Sequence, residues 1–139
     1  MDDLVQREGI YYQKFTDVPF TGKITGKEQG SFKNGKKEGA WVWYYQSGQL
    51  GSKENFKNGK SEGAIVTYWD NGQIWTKGNY KNDKREGTWI RYWENGQLNY
   101  KGNYKNGKEE GDWVSYIENG TVFKPWTGTY KDGVNISIE

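Results

Sequence analysis

The fold of this chain is decided by residues 82–98, which read NDKREGTWIRYWENGQL. The segment begins with a turn-forming pair, continues through Glu-Gly and an aromatic, β-branched run, and ends at an Asn-Gly pair. Asn-Gly between alternating apolar residues is the strongest short-range signal of a β-hairpin, because type I′ turns need positive φ at both central positions. The segment therefore predicts short strands joined by tight turns.

The same segment recurs along the chain with a period of 24 residues. Its Glu-Gly pair begins at Glu38, Glu62, Glu86 and Glu110. Two turn pairs and an aromatic position keep the same period: they begin at Asn34, Asn58, Asn82 and Asn106, at Ser47, Asn71, Asn95 and Asn119, and at Phe32, Phe56, Tyr80 and Tyr104. Four independent markers in one register indicate a repeat array.

The length predicts a single domain, residues 1–139, made of consecutive repeat units. The units comprise an irregular N-terminal unit (4–33), regular units (34–57, 58–81, 82–105 and 106–131) and a C-terminal cap (132–139). The segment Phe123-Lys124-Pro125-Trp126 adds two residues to the last regular unit. Irregular ends are expected, since terminal repeats must cap an open stack.

The predicted fold class is all-β: an elongated single-layer antiparallel β-meander of repeated hairpins, with about ten to twelve strands. Runs such as residues 41–45 and 89–93 are aromatic and β-branched, as strands favour. No segment has helical spacing of apolar residues over three turns.

The assignment of side chains to the two faces depends on the length of the turns. Two-residue turns would pair Tyr45 with Leu50, Trp43 with Ser52, and Ser52 with Ile65. They place on one face Trp41, Trp43, Tyr45, Leu50, Phe56, Ile65, Trp69, Ile74, Tyr80, Trp89, Trp93, Leu98, Tyr104 and Trp113. The other face would carry Val42, Tyr44, Val66, Tyr68, Ile90, Tyr92, Val114 and Tyr116 with Lys53, Lys77 and Lys101. A three-residue loop with a bulge would exchange part of this assignment.

Composition argues against several classes of function. The chain has no Cys and no His, which excludes disulfides, the usual zinc sites and Ser-His or Cys-His nucleophiles. Its 20 basic and 18 acidic residues are interleaved, so no nucleic-acid-binding patch is expected. No apolar run approaches the roughly 20 residues of a membrane span, so no membrane insertion is expected. The start of the chain lacks a signal peptide, which predicts a cytoplasmic protein, or a secreted or periplasmic one if a leader was removed.

We expect no enzymatic activity, cofactor or metal. The Glu of each Glu-Gly pair could suggest paired carboxylates for glycoside hydrolysis, but its recurrence beside Gly is typical of a structural turn residue. The acidic turn residues are single and scattered, which does not suit calcium.

The repeat resembles the MORN-repeat variant family of bacteria. The matching pattern is Asn-Gly-Lys-x-Glu-Gly-x-Trp-x-x-Tyr-x-x-Asn-Gly-Gln-Leu, at 58–74, 82–98 and 106–122, with Ile65 in place of one Trp and Asp83 in place of a turn Gly. The resemblance implies rows of β-hairpins that contact proteins or lipids. Members are often labelled antitoxins, which would imply a toxin as partner. The choline-binding repeats of cell-wall proteins are similar in a weaker way.

Candidate binding residues are those that vary between units, because a scaffold needs the same residue in every unit. The varying series are 43/67/91/115, 45/69/93/117 and 51/75/99/123. Trp, Tyr and Arg also dominate binding hot spots. The candidates are Trp43, Trp69, Trp75, Arg91, Trp93 and Tyr100. The alternative is that these residues only cover the hydrophobic face.

The leading functional hypothesis is a scaffold for another protein, including a toxin, with the aromatic face or an edge strand as contact. The alternative is a carbohydrate or choline/cell-wall binding module, in which Trp and Tyr stack on sugar rings or hold the quaternary ammonium. A weak homodimer through the aromatic face or an edge strand is a further expectation.

Overall fold

A computed structural model describes residues 3–137 of the chain. The strands of this part are β1 Leu4–Arg7, β2 Ile10–Gln13, β3 Gly22–Ile24, β4 Glu28–Lys33, β5 Lys36–Tyr44, β6 Leu50–Lys57, β7 Lys60–Ser61, β8 Gly63–Tyr68, β9 Ile74–Lys81, β10 Lys84–Arg85, β11 Gly87–Tyr92, β12 Leu98–Lys105, β13 Lys108–Ser115, β14 Gly128–Lys131 and β15 Val134–Asn135. A 3-10 helix at Lys124–Trp126 lies between β13 and β14.

Thirteen of these strands, β3 to β15, form one antiparallel sheet in sequence order, in which β6 pairs with both β7 and β8 and β9 pairs with both β10 and β11. The predicted all-β meander is confirmed. The described strands outnumber the ten to twelve expected, partly because Glu62 separates β7 from β8 and Glu86 separates β10 from β11. Gly63 and Gly87 follow with φ of 86° and 73°, a left-handed conformation that Gly tolerates and that shifts the strand by a bulge.

The first turn of each unit is a two-residue turn, as predicted. Asn58 and Gly59 have φ of 50° and 80°, which are type I′ values. Asn82 and Asp83 adopt the same conformation, with φ of 48° and 65°. Asp83 is therefore a tolerated replacement for Gly, since Asn and Asp enter the left-handed region more readily than other side chains.

The second turn of each unit is longer, so the two-residue assumption was wrong there. Gly48 donates its N–H to Tyr45 O (2.9 Å), and Tyr45 donates to Gln49 O (2.9 Å), which closes a three-residue loop. In the next unit, Asn71 fixes the same loop with its side chain. Its Oδ1 accepts the Gln73 N–H (2.9 Å), so this Asn does not need positive φ.

The longer loop moves one set of aliphatic residues to the other face. Trp43 pairs with Ser52 as predicted, but Leu50 pairs with Tyr44 rather than with Tyr45. By the same shift Ile74 pairs with Tyr68 and Leu98 with Tyr92, so these three residues were assigned to the wrong face. The predicted pairing of Ser52 with Ile65 was also wrong.

Ser52 pairs with Thr67, because the Glu-Gly bulge inserts residues between the turn and the longer strand. Phe56 pairs with Ser61 as the two-residue turn requires. Glu62 still donates its N–H to Asn55 O (2.9 Å) in the register of the turn, and beyond the bulge the ladder continues in the shifted register at Lys53 and Val66. Two-residue turns and bulges therefore act together to set the register.

The hydrophobic core is a row of aromatic rings on one face of the sheet, which we call the aromatic face. Trp41 and Trp89 are 2% exposed and Trp113 is 8% exposed. Each indole lies over a strand Gly, and a Cβ at Gly78 or Gly102 would overlap the ring of Trp89 or Trp113. Neighbouring rings meet edge to face, as between Trp89 and Tyr104 at 6.0 Å.

The opposite face carries β-branched residues alternating with lysines across the strands. Val66 pairs with Lys53 on one side and Lys77 on the other, and Ile90 pairs with Lys77 and Lys101. The lysines are exposed and the β-branched residues are half-buried. This confirms the predicted composition of that face and suits lysine stems lying along apolar neighbours.

Short strands stand at both ends of the sheet. The end strand β3 has three residues and β15 has two, which limits the unpaired backbone available for association. The hairpin β1–β2 forms its own sheet and packs Tyr11 on Phe32, with ring centroids 4.8 Å apart. Residues 1–2 and 138–139, including the end of the predicted C-terminal cap, lie outside the described residues.

Candidate binding surface

Four of the six candidate residues cluster on the aromatic face. Trp69 and Trp75 are stacked, with centroids 4.4 Å apart and an interplanar angle of 25°. The Arg91 guanidinium carbon lies 5.1 Å from the Trp75 ring centroid, within cation–π range. Tyr100 lies directly opposite Arg91 in the strand pair. The sequence therefore selected residues that the fold brings together.

Trp43 lies apart from this cluster, in an earlier unit. It contacts Tyr45, with centroids 4.7 Å apart, and covers Gly51. It shares the aromatic face with Trp41, since residues two apart on a strand point the same way. With 40% of its surface exposed, Trp43 is available for contact.

Trp69 and Trp93 have a structural task that the sequence analysis missed. Trp69 Nε1 donates to Tyr92 O (3.2 Å) and Trp93 Nε1 donates to Tyr116 O (3.0 Å). At the same position in an earlier unit, Tyr45 Oη donates to Tyr68 O (2.7 Å). Each side chain thus joins its unit to the next. A hydrogen-bond donor at this position therefore has a structural role in addition to any role in ligand binding.

The repeated Glu residues hold the turns of the following unit. Their Oε2 atoms accept the backbone N–H of the first turn residue at 2.8 to 3.0 Å, in the pairs Glu38–Asn58, Glu62–Asn82, Glu86–Asn106 and Glu110–Asp132. The interpretation of these acids as structural turn residues is confirmed. A carboxylate that accepts a backbone N–H at each turn is committed to holding the stack.

An open cavity of about 390 Å³ lies on the aromatic face near the C-terminal end of the sheet. Arg91 and Asn99 are among its polar lining residues. Its aromatic lining on this face consists of Trp93, Phe123 and Trp126. Phe123 and Trp126 were not among the residues predicted from the sequence. The two-residue insertion could have indicated them, because it forms the 3-10 helix in the wall of the cavity.

A second cavity of about 260 Å³ adjoins the first and shares Trp126 and Ser115 with it. Tyr100 and Tyr104 line this second cavity. Arg85 Nη1 donates to Tyr104 Oη (3.0 Å). Burial raises the pKa of Tyr104 although the Arg85 charge opposes the shift, so Tyr104 remains a neutral phenol.

A group of charged side chains interrupts the aromatic face at the first regular unit. Lys37 Nζ pairs with Glu28 Oε1 at 2.9 Å and lies 4.2 Å from the Trp41 ring centroid. Burial raises the pKa of the nearby Glu54 carboxyl, which Lys37 partly offsets and Glu28 reinforces. Glu54 occupies the strand position that is Gly in other units, and the next unit has Ile65 where the others have Trp.

Among residues 3–137, no group of three or more His, Cys, Asp or Glu side chains is arranged to hold a metal ion. Within the same residues, no helix has the length and apolar character needed to cross a bilayer.

Comparison with known proteins identifies the repeat. A family model described as "MORN repeat variant" matches residues 37–58, 61–82 and 85–106, three consecutive repeats. No curated protein matches the chain. The matched segments begin just before the Glu-Gly pair and end at the type I′ turn, so they follow the structural unit seen in the sheet.

Proposed function

The chain belongs to the MORN repeat variant family, and from this premise we propose that it is a scaffold that binds another protein through its aromatic face. The repeats of this family are generally non-catalytic modules that often act in protein or membrane interactions. The repeated Glu carboxylates hold turns, which fits a scaffold rather than a catalyst.

The observation that carries the proposal is the exposure of large aromatic side chains on this face. Trp126 is 63% exposed and Trp43 is 40% exposed. A single-layer sheet has no second layer to cover them in the described part of the chain. Exposed Trp beside half-buried Arg91 and Tyr100 is the composition of a protein-binding hot spot.

The test is capture of a partner from extract of the source cells, with the immobilised chain as bait. The variant Trp43→Ser/Trp126→Ser removes the exposed rings without touching the buried row. The control is Val122→Ser, which alters a side chain 44% exposed on the opposite face, across from Tyr116. A protein retained by the parent and the control but lost by the double variant supports the proposal. Equal retention by all three would contradict it.

An antitoxin or immunity protein is a special case of this proposal. It requires that the captured partner be toxic and that binding neutralise it. Expression of the partner alone should then stop growth, and co-expression with this chain should restore growth. Growth arrest that persists with co-expression would leave the scaffold function intact and exclude the antitoxin function.

The second candidate function is carbohydrate binding, and the aromatic cavity favours it. Trp93, Phe123 and Trp126 offer aromatic rings on which a sugar could stack. Choline suits the same cavity less well, because the Arg91 cation would repel a quaternary ammonium. Saturable quenching of Trp fluorescence by oligosaccharides, lost in Trp126→Ser, would support this function over the first.

A further inference from the structure

The cavity of about 390 Å³ is built from departures from the repeat rather than from the repeat itself. Arg91 occupies a position that is Trp43, Thr67 or Ser115 in the other regular units. Trp126 belongs to the insertion found in the last unit. Neither residue is needed to form the sheet, since the other units form the same strands without this Arg and without the inserted Trp. Their convergence on one cavity therefore indicates a site.

The wall of this cavity is held in place by hydrogen bonds. Ser115, which is 2% exposed, donates through Oγ to Phe123 O (3.0 Å), and Thr127 Oγ1 donates to the same oxygen (3.1 Å). Phe123 N–H donates to Ser115 O (2.7 Å). A larger residue at position 115 would fill the space beneath the insertion. The 3-10 helix with Trp126 is thus preformed, which lowers the entropic cost of binding.

Arg91 supplies an uncompensated positive charge at the cavity. It is half-buried against Trp75, and no carboxylate of residues 3–137 forms an ion pair with it. The ion pairs within this part of the chain are Arg7–Asp17 and Lys37–Glu28. A partly desolvated guanidinium has a planar fork of donors that fits a carboxylate.

We propose that this cavity binds an acidic segment of the partner protein, with a carboxylate on Arg91 and an adjacent aromatic side chain between Trp93 and Trp126. The inference rests on the proposed function and names the chemistry of the partner. The Asn99 amide lies in the same lining and can donate to the second carboxylate oxygen. The aromatic walls accept a ring edge to face or stacked.

The probe is the blocked peptide acetyl-Gly-Asp-Phe-Gly-amide, compared with the same peptide carrying Asn in place of Asp. The full ¹⁵N-labelled chain is titrated and the indole N–H signals are followed by NMR. We expect saturable shifts of the Trp93 and Trp126 signals with the Asp peptide. Binding of the Asn peptide should be weaker by about tenfold or more, as expected for a lost charge-assisted hydrogen bond.

The variant Arg91→Gln should weaken the Asp peptide by a similar factor and leave the Asn peptide unchanged. The control Lys101→Gln removes a charge from the opposite face and should change neither. Unchanged dispersion of the backbone amide signals shows that each variant is folded. The proposal is overturned if both peptides bind equally, if Arg91→Gln has no effect, or if dilution of the free protein moves the same signals, which would indicate a second copy in the cavity.

These outcomes separate this inference from the proposed function. If the peptides fail to bind while the parent and Arg91→Gln both capture the same cellular partner, the acidic-segment inference fails and the scaffold function stands. If the chain captures no cellular protein whose binding is lost in the Trp43→Ser/Trp126→Ser variant, the scaffold function itself is contradicted.

Discussion

The second regular unit and the third differ in how each packs on the unit before it. Trp89 of the third unit lies over Gly78 of the second, and the indole leaves no room for a Cβ. The residues 24 positions earlier are Ile65 of the second unit and Glu54 of the first, so a smaller side chain replaces the indole where a larger one replaces the Gly. The two departures occur together. The packing between neighbouring units is therefore constrained by the combined volume of the two side chains rather than by either residue alone.

The same difference divides the aromatic face into two rows of rings separated by a carboxyl group. Tyr80 at the end of the second unit and the rings of the third and fourth units form a continuous row that ends at Tyr130. Between this row and the earlier row that ends at Phe56, Ile65 contributes no ring and Glu54 brings a half-buried carboxyl. A repeat array can therefore carry a local change of chemistry without a change of strand topology, provided that both members of a pair change.

The largest effect should follow truncation of the buried rings. We expect Trp89→Ala to lower the free energy of unfolding by about 4 kcal/mol, because the side chain is 2% exposed and a cavity remains. Ile65→Ala should cost about 2 kcal/mol, since Ile65 is smaller and half-buried. Urea unfolding of both variants checks the comparison. Equal losses would show that the second unit is not packed differently.

Making the second unit regular in one step should cause a clash. We expect Ile65→Trp to cost about 2 kcal/mol, because the new indole would meet the Glu54 side chain. The double variant Ile65→Trp/Glu54→Gly should recover that loss, since it reproduces the pair in the third unit. A double-mutant cycle measures the coupling. Additive effects of the two changes would contradict the shared-volume argument.

The turn-holding carboxylates should give a smaller effect. Glu86→Ala removes the acceptor of the Asn106 N–H (2.9 Å) and should cost about 1 to 2 kcal/mol. Glu94 is the matched control: it is exposed, and within residues 3–137 its backbone oxygen accepts a hydrogen bond from Asn71 while its carboxylate makes none. Glu94→Ala should stay within about 0.5 kcal/mol of the parent. A similar loss in both would mean that charge, rather than the turn bond, matters.

The smallest effect concerns pH. Burial raises the pKa of Glu54 in the folded chain, so the folded state holds its proton to higher pH than the unfolded state does. The contribution of Glu54 to stability therefore falls as pH rises through the window above its ordinary pKa. Glu54→Gln removes this loss. Its free energy of unfolding relative to the parent should be higher at about pH 7 than at about pH 4, and the reverse order would contradict the burial of Glu54.

Most of the fold could be predicted from the sequence, because period and turn chemistry are local signals. The repeated Glu-Gly pair and the Asn-Gly turns fixed the strands and the antiparallel order. The error lay in treating both turn pairs alike. Asn58-Gly59 and Asn71-Gly72 have the same composition, but only the first has both residues at positive φ. The side-chain bond of Asn71 to Gln73 decides the difference, and sequence spacing does not reveal it.

The candidate surface was predicted less completely. Variation between units selected Trp75 and Arg91, and the fold places these two side chains in contact. It did not reveal that Trp69 and Trp93 bond to the next unit, because two indoles spaced at the repeat period look the same whether they bind a ligand or the scaffold. Trp126 was missed since an insertion has no equivalent in the other units, and only the structure places it with Arg91 in the lining of one cavity.

The central claim is that departures from the repeat carry binding, whereas the repeated residues hold the sheet. The most direct measurement is partner capture by Arg91→Thr, which gives the third unit the residue that the second unit has at Thr67. The account predicts that capture is lost although the urea midpoint is retained, because Thr67 shows that the sheet tolerates Thr at this position. Undiminished capture by the folded variant would contradict it.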